Sequence, residues 1–248
     1  MQTFSLTDTG RMRTANQDYV FCQDTEIGSF PNLFIVADGM GGHNAGDTAS
    51  RMCVEEVVSQ IKKSTKITPI GIFEQAVAAA NEKVYRASNE DPSLYGMGTT
   101  VVAAMVLGKV VYVVNVGDSR LYVCKDSLTQ ITVDHSLVEE MVQSGKLQKE
   151  EMRTHPNKNI ITRALGTDQE VKADCFEIEV EKGDVLLLCS DGLSNMLEDK
   201  TMEEIIKKYP EDMEQAARKL VDEANKAGGK DNISVVLAEP FSDEVSIW

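Results

Sequence analysis

The sequence predicts an α+β protein: antiparallel sheets with pairs of helices packed outside them. Two observations carry this. β-Branched runs follow one another in meanders at 99–107, 110–116, 121–124 and 128–133, and segments with helical spacing come in consecutive pairs. Neither gives the regular strand–helix alternation of a doubly wound parallel fold.

In chain order, the apolar run 32–37 (NLFIVA) ends in a glycine-rich turn and reads as a buried strand. Ala45, Ala49, Met52, Cys53, Val57 and Ile61 then fall on one helix face. Phe73, Ala76, Val77, Ala80 and Val84 give a second amphipathic helix, joined to the first near Pro69-Ile70-Gly71. Gly108-Lys109 splits two β-branched runs as a hairpin would. Further strands are expected at 176–180 and 185–189, with 181–184 as their turn. Thr201-x-x-Glu204 has the form of a capping box, and Pro210 should stop that helix. Met213, Ala216, Ala217, Leu220 and Ala224 mark a last helix closed by Gly228-Gly229, before a final strand at 233–238. Residues 1–240 read as one domain, with a polar surface excursion at about 145–168 and an exposed tail at 241–248.

The chain has 248 residues, is 42% hydrophobic and carries a formal net charge of -15. So acidic a surface argues against nucleic acid or anionic membrane as partner. Five cysteines, an odd number with no Cys-x-x-Cys, suit reduced thiols inside a cytoplasmic protein. Residues 1–10 show no leader pattern, and no apolar run approaches the roughly 18 residues of a membrane span. A soluble monomer is expected.

Five aspartate phrases are spread along the chain: Asn16-Gln17-Asp18, Ala37-Asp38-Gly39-Met40-Gly41-Gly42, Val116-Gly117-Asp118-Ser119-Arg120, Cys189-Ser190-Asp191-Gly192-Leu193 and Lys230-Asp231-Asn232. Four adjoin an apolar run. Carboxylates brought together at strand ends repel unless a cation lies between them. A single Asp-Gly is usually a turn; strands that end repeatedly in aspartate point to a metal cluster. Hard oxygen donors without a Cys/His set favour Mg2+ or Mn2+ over Zn2+. The Gly39 carbonyl can approach such an ion because glycine brings no side chain. Arg11 and Arg13 precede Asp18, and a guanidinium there suits a phosphate.

Rival chemistries fit less well. Asn44 occupies the third glycine position of a Gly-x-Gly-x-x-Gly loop, and no Gly-Lys-Ser/Thr phosphate loop occurs. Neither Cys-x5-Arg nor Asp-x-Asp is present, so no phosphoenzyme route is visible. Of the three histidines, 43, 135 and 155, His43 is the candidate general acid, against a structural role in the glycine turn.

Thr7-Asp8-Thr9-Gly10 with Arg13 and Asn16-Gln17-Asp18 opens a series of motifs. Ala37-Asp38-Gly39-Met40-Gly41-Gly42-His43, Gly98-Thr99-Thr100, Asn115-Val116-Gly117-Asp118-Ser119-Arg120, Asp134-His135-Ser136, Arg163-Ala164-Leu165-Gly166, Ser190-Asp191-Gly192-Leu193 and Asp231-Asn232-Ile233-Ser234 follow. The series resembles, over essentially the whole chain, the bacterial metal-dependent Ser/Thr protein phosphatases of the protein phosphatase 2C family. The resemblance implies a central antiparallel β-sandwich flanked on both sides by pairs of antiparallel helices. It implies hydrolysis of phosphoserine and phosphothreonine by direct attack of a water bridging two divalent cations, Mn2+ or Mg2+, with a third, weaker ion. Asp38 would bridge, the Gly39 carbonyl would bind one ion, and Asp191 and Asp231 would complete the other. Asp118 would help hold the third ion and Asp18 would act through water or as support. Arg13 would grip the phosphate, and 145–165 would be a flap. Many eukaryotic members have His directly after the Asp-Gly, where this chain has Met40, so His43 or a metal-bound water takes the acid role. Phosphorylated proteins, among them a eukaryote-like Ser/Thr kinase that the enzyme opposes, are the implied partners. A binding module without catalysis and a phosphatase of small metabolites are the alternatives.

Overall fold

The computed structural model describes residues 1–42 and 45–241. Two antiparallel sheets pack face to face. One runs β1 (Gln2–Asp8), β11 (Ile233–Glu239), β10 (Val185–Cys189), β7 (Arg120–Cys124), β8 (Leu128–Gln130). The other runs β2 (Asp18–Gln23), β3 (Leu33–Met40), β5 (Val101–Leu107), β6 (Val110–Val116), β9 (Asp174–Glu179), with the two-residue β4 (Gly98–Thr99) beside β3. Helices α1 (Ala45–Lys63) and α2 (Pro69–Glu90) cover the second sheet; α5 (Asp199–Lys208) and α6 (Met213–Lys226) cover the first. Short helices α3 (Leu137–Gln143) and α4 (Asp191–Ser194) lie in the connections. The expected helix–sheet–sheet–helix layering is what forms.

Each inner strand is sandwiched, and this explains its unbroken apolar run. Phe34 and Val36 face the opposite sheet, while Leu33, Ile35 and Ala37 face the helices. Leu186 and Leu188 likewise point inward between the sheets, and Val185, Leu187 and Cys189 point at α5 and α6. Alternation survives in side-chain direction but not in polarity, since both faces of the strand lie under a layer.

The structure differs from the sequence reading in several places. Strands β1 and β2 were not anticipated. The α1–α2 break lies at 64–68: Thr68 caps α2, its hydroxyl accepting from the Gly71 N–H, and Pro69 is its first residue, where a missing N–H costs nothing. Thr201 does not cap α5, which begins at Asp199 after Glu198. The excursion 145–168 contains a 3-10 segment, Lys149–Thr154. Phe241, expected to open an exposed tail, packs against the inter-sheet core, and 242–248 lie outside the described residues. Among the described residues no helix is long and apolar enough to cross a membrane.

Candidate active site and metal centre

The topology gathers the aspartates at one edge of the sandwich. Asp18 opens β2 directly opposite Asp38 on β3. Asp191 begins α4 just after β10, Asp231 precedes β11, and Asp118 lies in the turn between β6 and β7. Asp38, Asp118, Asp191 and Asp231 line one cavity of about 250 Å3, with Gly39 and Arg13. Asp18 does not line it. It is buried behind, accepting a 2.7 Å hydrogen bond from the Ser190 hydroxyl.

Electrostatics mark the cavity. Burial raises the Asp18 carboxyl to about 7, against the pull of Ser234 and Ser190 and with the help of Asp191 and Asp231. Burial and then Asp231 raise Asp191 to about 6. Asp38 and Asp118 are also raised by burial first, then by their neighbouring aspartates. The cost of burying these charges, together with their mutual repulsion, is what a cation would relieve.

The residues fit divalent cations in donor chemistry. Every candidate donor is oxygen. Asp18 Oδ1 and Asp191 Oδ1 are buried without a hydrogen-bond partner among the described residues. The Gly39 position is closed to any side chain, since a Cβ there would stand 2.6 Å from the Gln17 carbonyl oxygen. The carboxylates surround the cavity without closing on it. Among the described residues no three His, Cys, Asp or Glu side chains stand close enough to hold an ion as they are.

Arg13 enters the cavity wall, and its Nη2 donates to Asp231 Oδ2 at 2.8 Å. The guanidinium is half-exposed, with further N–H groups available for an anion. Met40 lines the same cavity. His43 lies outside the described residues.

Residues the sequence reading gave no role hold this frame. The Asp38 N–H donates to Thr100 Oγ1 (3.0 Å), and the Thr100 N–H returns to the Asp38 carbonyl (2.9 Å). Asn232 Oδ1 accepts the Gln17 N–H, and its Nδ2 donates to the Thr9 and Ala15 carbonyls, pinning the arginine loop to β11. His135 Nδ1 accepts the Gly117 N–H at 2.9 Å. That fixes the tautomer with hydrogen on Nε2, which donates to Asp174 Oδ2 at 3.1 Å. Arg163 Nη1 also lies 2.9 Å from Nε2; its donations go to Asp174 Oδ1 and the Lys172 carbonyl. Arg120 grips Asp134 with two nitrogens and the Tyr122 hydroxyl with a third. Asp134 and Arg120 also line a small side cavity of about 40 Å3 with Asp118, Asp191, Arg153 and Lys158. Motif order alone singled out His135 and Asn232; their partners are far away in sequence.

Comparison with known proteins gives a consistent picture. The profile described as "Protein phosphatase 2C" matches residues 10–237. The chain is 41% identical over 243 residues to the serine/threonine phosphatase stp of Listeria monocytogenes serotype 4b (strain F2365), covering 94% of this chain and 93% of that one. The crystal structure of the Mycobacterium tuberculosis serine/threonine phosphatase PstP/Ppp superposes with a TM-score of 0.87 at 34% identity, covering 96% of this chain and 97% of that one. A crystal structure of the PstP catalytic domain in complex with two manganese ions gives a TM-score of 0.84 at 33% identity, covering 96% and 97%.

Proposed function

The chain belongs to the protein phosphatase 2C family as a metal-dependent serine/threonine phosphatase, and on that premise we propose that it cleaves phosphoserine and phosphothreonine in proteins directly, without a phosphoenzyme. The observation that carries this reading is the ring of raised carboxyls, Asp38, Asp118 and Asp191, around a cavity that Arg13 also enters. Asp38, Asp191, Asp231 and the Gly39 carbonyl are the residues that would hold two core divalent cations, Mn2+ or Mg2+. Asp118, with Asp191, would hold a weaker third. Bound there, such cations supply an acidified water as nucleophile and neutralise charge on the phosphoryl oxygens.

The chain's own groups do the rest. Arg13 offers its free N–H groups to the phosphate and fixes it for in-line attack, while Asp231 holds the guanidinium in place. Ser190 keeps Asp18 behind the cavity, and Asn232 pins the arginine loop to its wall. His43 is the proposed proton donor to the leaving hydroxyl, with water as its substitute. The physiological role we propose is opposition to a Ser/Thr kinase by a monomeric cytoplasmic enzyme. The test is phosphate release from a phosphothreonine peptide: activity with Mn2+, none with EDTA, and no label on the protein after quenching. Turnover that persists in EDTA, or a trapped phosphoprotein, overturns the reading.

A further inference from the structure

A cleft of about 680 Å3 opens near the metal cavity, and the reaction above makes no use of it. It is lined by β8 and the residues that follow to Asp134, by the 3-10 segment Lys149–Thr154, and by the start of α5. Its lining is continuous with that of the site. Asp118 and Asp191 line both the metal cavity and the small side cavity. Arg120, Asp134, Met152 and Arg153 line both the side cavity and the cleft.

β8 is an edge strand: among the described residues it pairs with β7 on one side and with no strand on the other. The Lys125 N–H donates to the Ser127 carbonyl, and the Ile131 N–H to the Leu121 carbonyl. Bonded and non-bonded pairs alternate along an antiparallel ladder. Val123 with Thr129 is therefore the bonded pair within β8, while Tyr122 with Gln130 and Cys124 with Leu128 are non-bonded. The main-chain groups of Leu128 and Gln130 point away from β7. The Leu128 N–H shows this directly, reaching Glu203 Oε2 on α5 at 3.0 Å. The Gln130 N–H and carbonyl meet no such partner among the described residues. The Gln130 side chain is turned elsewhere, to the Thr132 carbonyl (2.8 Å) and Asp134 Oδ1 (2.9 Å). An edge that presents an open N–H and C=O from one residue is a template for one more strand.

We propose that the protein substrate adds a strand to β8, its main chain pairing with Gln130 while its phosphorylated residue lies in the metal cavity. This rests on the phosphatase reading and supplies the docking mode of its substrate. The spacing is workable. Tyr122, opposite Gln130, stands four positions beyond Asp118, at most about 13 Å along the chain. An added strand lies two strand spacings from β7, about 10 Å across. An extended peptide covers that separation in about five residues. The cleft carries both signs of charge, Lys149 and Lys200 against Glu139 and Glu198. Side-chain charge therefore selects little, and main-chain pairing gives affinity without demanding one sequence.

The experiment uses the Mn2+-loaded protein and a short phosphothreonine peptide, extended by about eight residues on its N-terminal or its C-terminal side. One extension should raise kcat/KM roughly tenfold, through KM. Single backbone N-methylations within it should remove the gain only at alternate positions, because every second N–H faces the edge. In the protein, Gln130→Pro removes the edge N–H without breaking a bond to β7 and should lose the gain. Gln130→Ala keeps that N–H and should keep the gain. Both variants should hydrolyse a small aryl phosphate as the parent does. The proposal is overturned by no gain from either extension, or by a gain that ignores N-methylation, survives in Gln130→Pro or is lost equally in Gln130→Ala. Self-association that Gln130→Pro abolishes also overturns it, since the edge then serves a second copy of the chain. Should Gln130→Pro fail to fold, the N-methyl series on the unmodified protein decides alone. Failure of the unmodified protein to hydrolyse the aryl phosphate would instead defeat the phosphatase reading. Anisotropy with fluorescent phosphonate peptides, N-methylated in the same series, then decides the docking: weaker binding at alternate positions upholds it, and uniform binding overturns it.

Discussion

His135 and Gly117 are joined twice: the Gly117 N–H donates to His135 Nδ1 at 2.9 Å, and the His135 N–H donates to the Gly117 carbonyl at 3.0 Å. Gly117 sits at φ +106°, where a side chain would be strained and would meet Thr100. The next residue is Asp118. The imidazole therefore sets the direction in which that carboxylate leaves the turn, and a partly exposed Asp174–Arg163 pair sets the imidazole.

His135→Ala should raise the Mn2+ concentration needed for half-maximal activity by about 10- to 100-fold, the usual cost of losing a group that orients a ligand. His135→Asn, whose side-chain oxygen can take the Nδ1 place, should recover much of it. Metal titration of the two variants checks this. Equal Mn2+ requirements in both variants and the parent would show that Asp118 is held without His135.

Asp38→Asn and Asp191→Asn should each lower kcat/KM toward an aryl phosphate by at least about 1,000-fold, since each removes a charge assigned to the core pair. The same substitutions should raise the melting temperature in EDTA. They remove a carboxylate that burial and neighbouring charge already disfavour. Inactive variants that also melt lower without metal would point to ordinary structural damage.

The metal-free protein should lose stability as pH rises. The Asp18 and Asp191 carboxyls titrate at about 7 and about 6 in the folded chain, against an ordinary 3.8. A folded value above the unfolded one favours the folded state while the group is protonated. The benefit is complete below about pH 4 and disappears as pH climbs through 6 and 7. Buried His135, with its pKa lowered, acts oppositely: its contribution is present above 6.5 and is lost as pH falls. One histidine does not outweigh the several raised aspartates. Melting in EDTA should therefore fall between pH 5 and pH 7.5, and Mn2+ should restore it at the upper end. A melting temperature that climbs over this range in EDTA contradicts the assignment.

Arg13→Ala should lower kcat/KM by roughly 10- to 100-fold, as expected for loss of a charge-assisted contact. Arg13→Lys should recover little, because an ammonium cannot hold Asp231 and two phosphate oxygens in one plane. Unchanged kinetics in Arg13→Ala would remove the residue from the reaction.

Strands flanked by layers on both sides were legible because their burial leaves unbroken apolar runs, and the aspartates at their ends stood out against them. β1 and β2 were not, because QTFSLTD and DYVFCQ mix polar and apolar residues. Only pairing of β1 with β11 and of β2 with β3 makes strands of them. The Thr201 pattern misled for a related reason: Glu203, inside the supposed cap, accepts the Leu128 N–H from β8. Asn232 and Ser190 hold the site through residues 215 and 172 positions away. Local pattern carries no trace of such distances, whereas the type and order of the aspartates that line the cavity could be read directly.

The pairing of β1 with β11, Gln2 against Glu239, has a consequence for biosynthesis. β1 has no neighbour in its own sheet until β11 has been made. A growing chain must hold that unsatisfied edge while every element between the two strands is made, and such long-range closure is slow. Chains that stop before Asp231 lack a wall of the cavity and the partner of Arg13, so they should show no phosphatase activity.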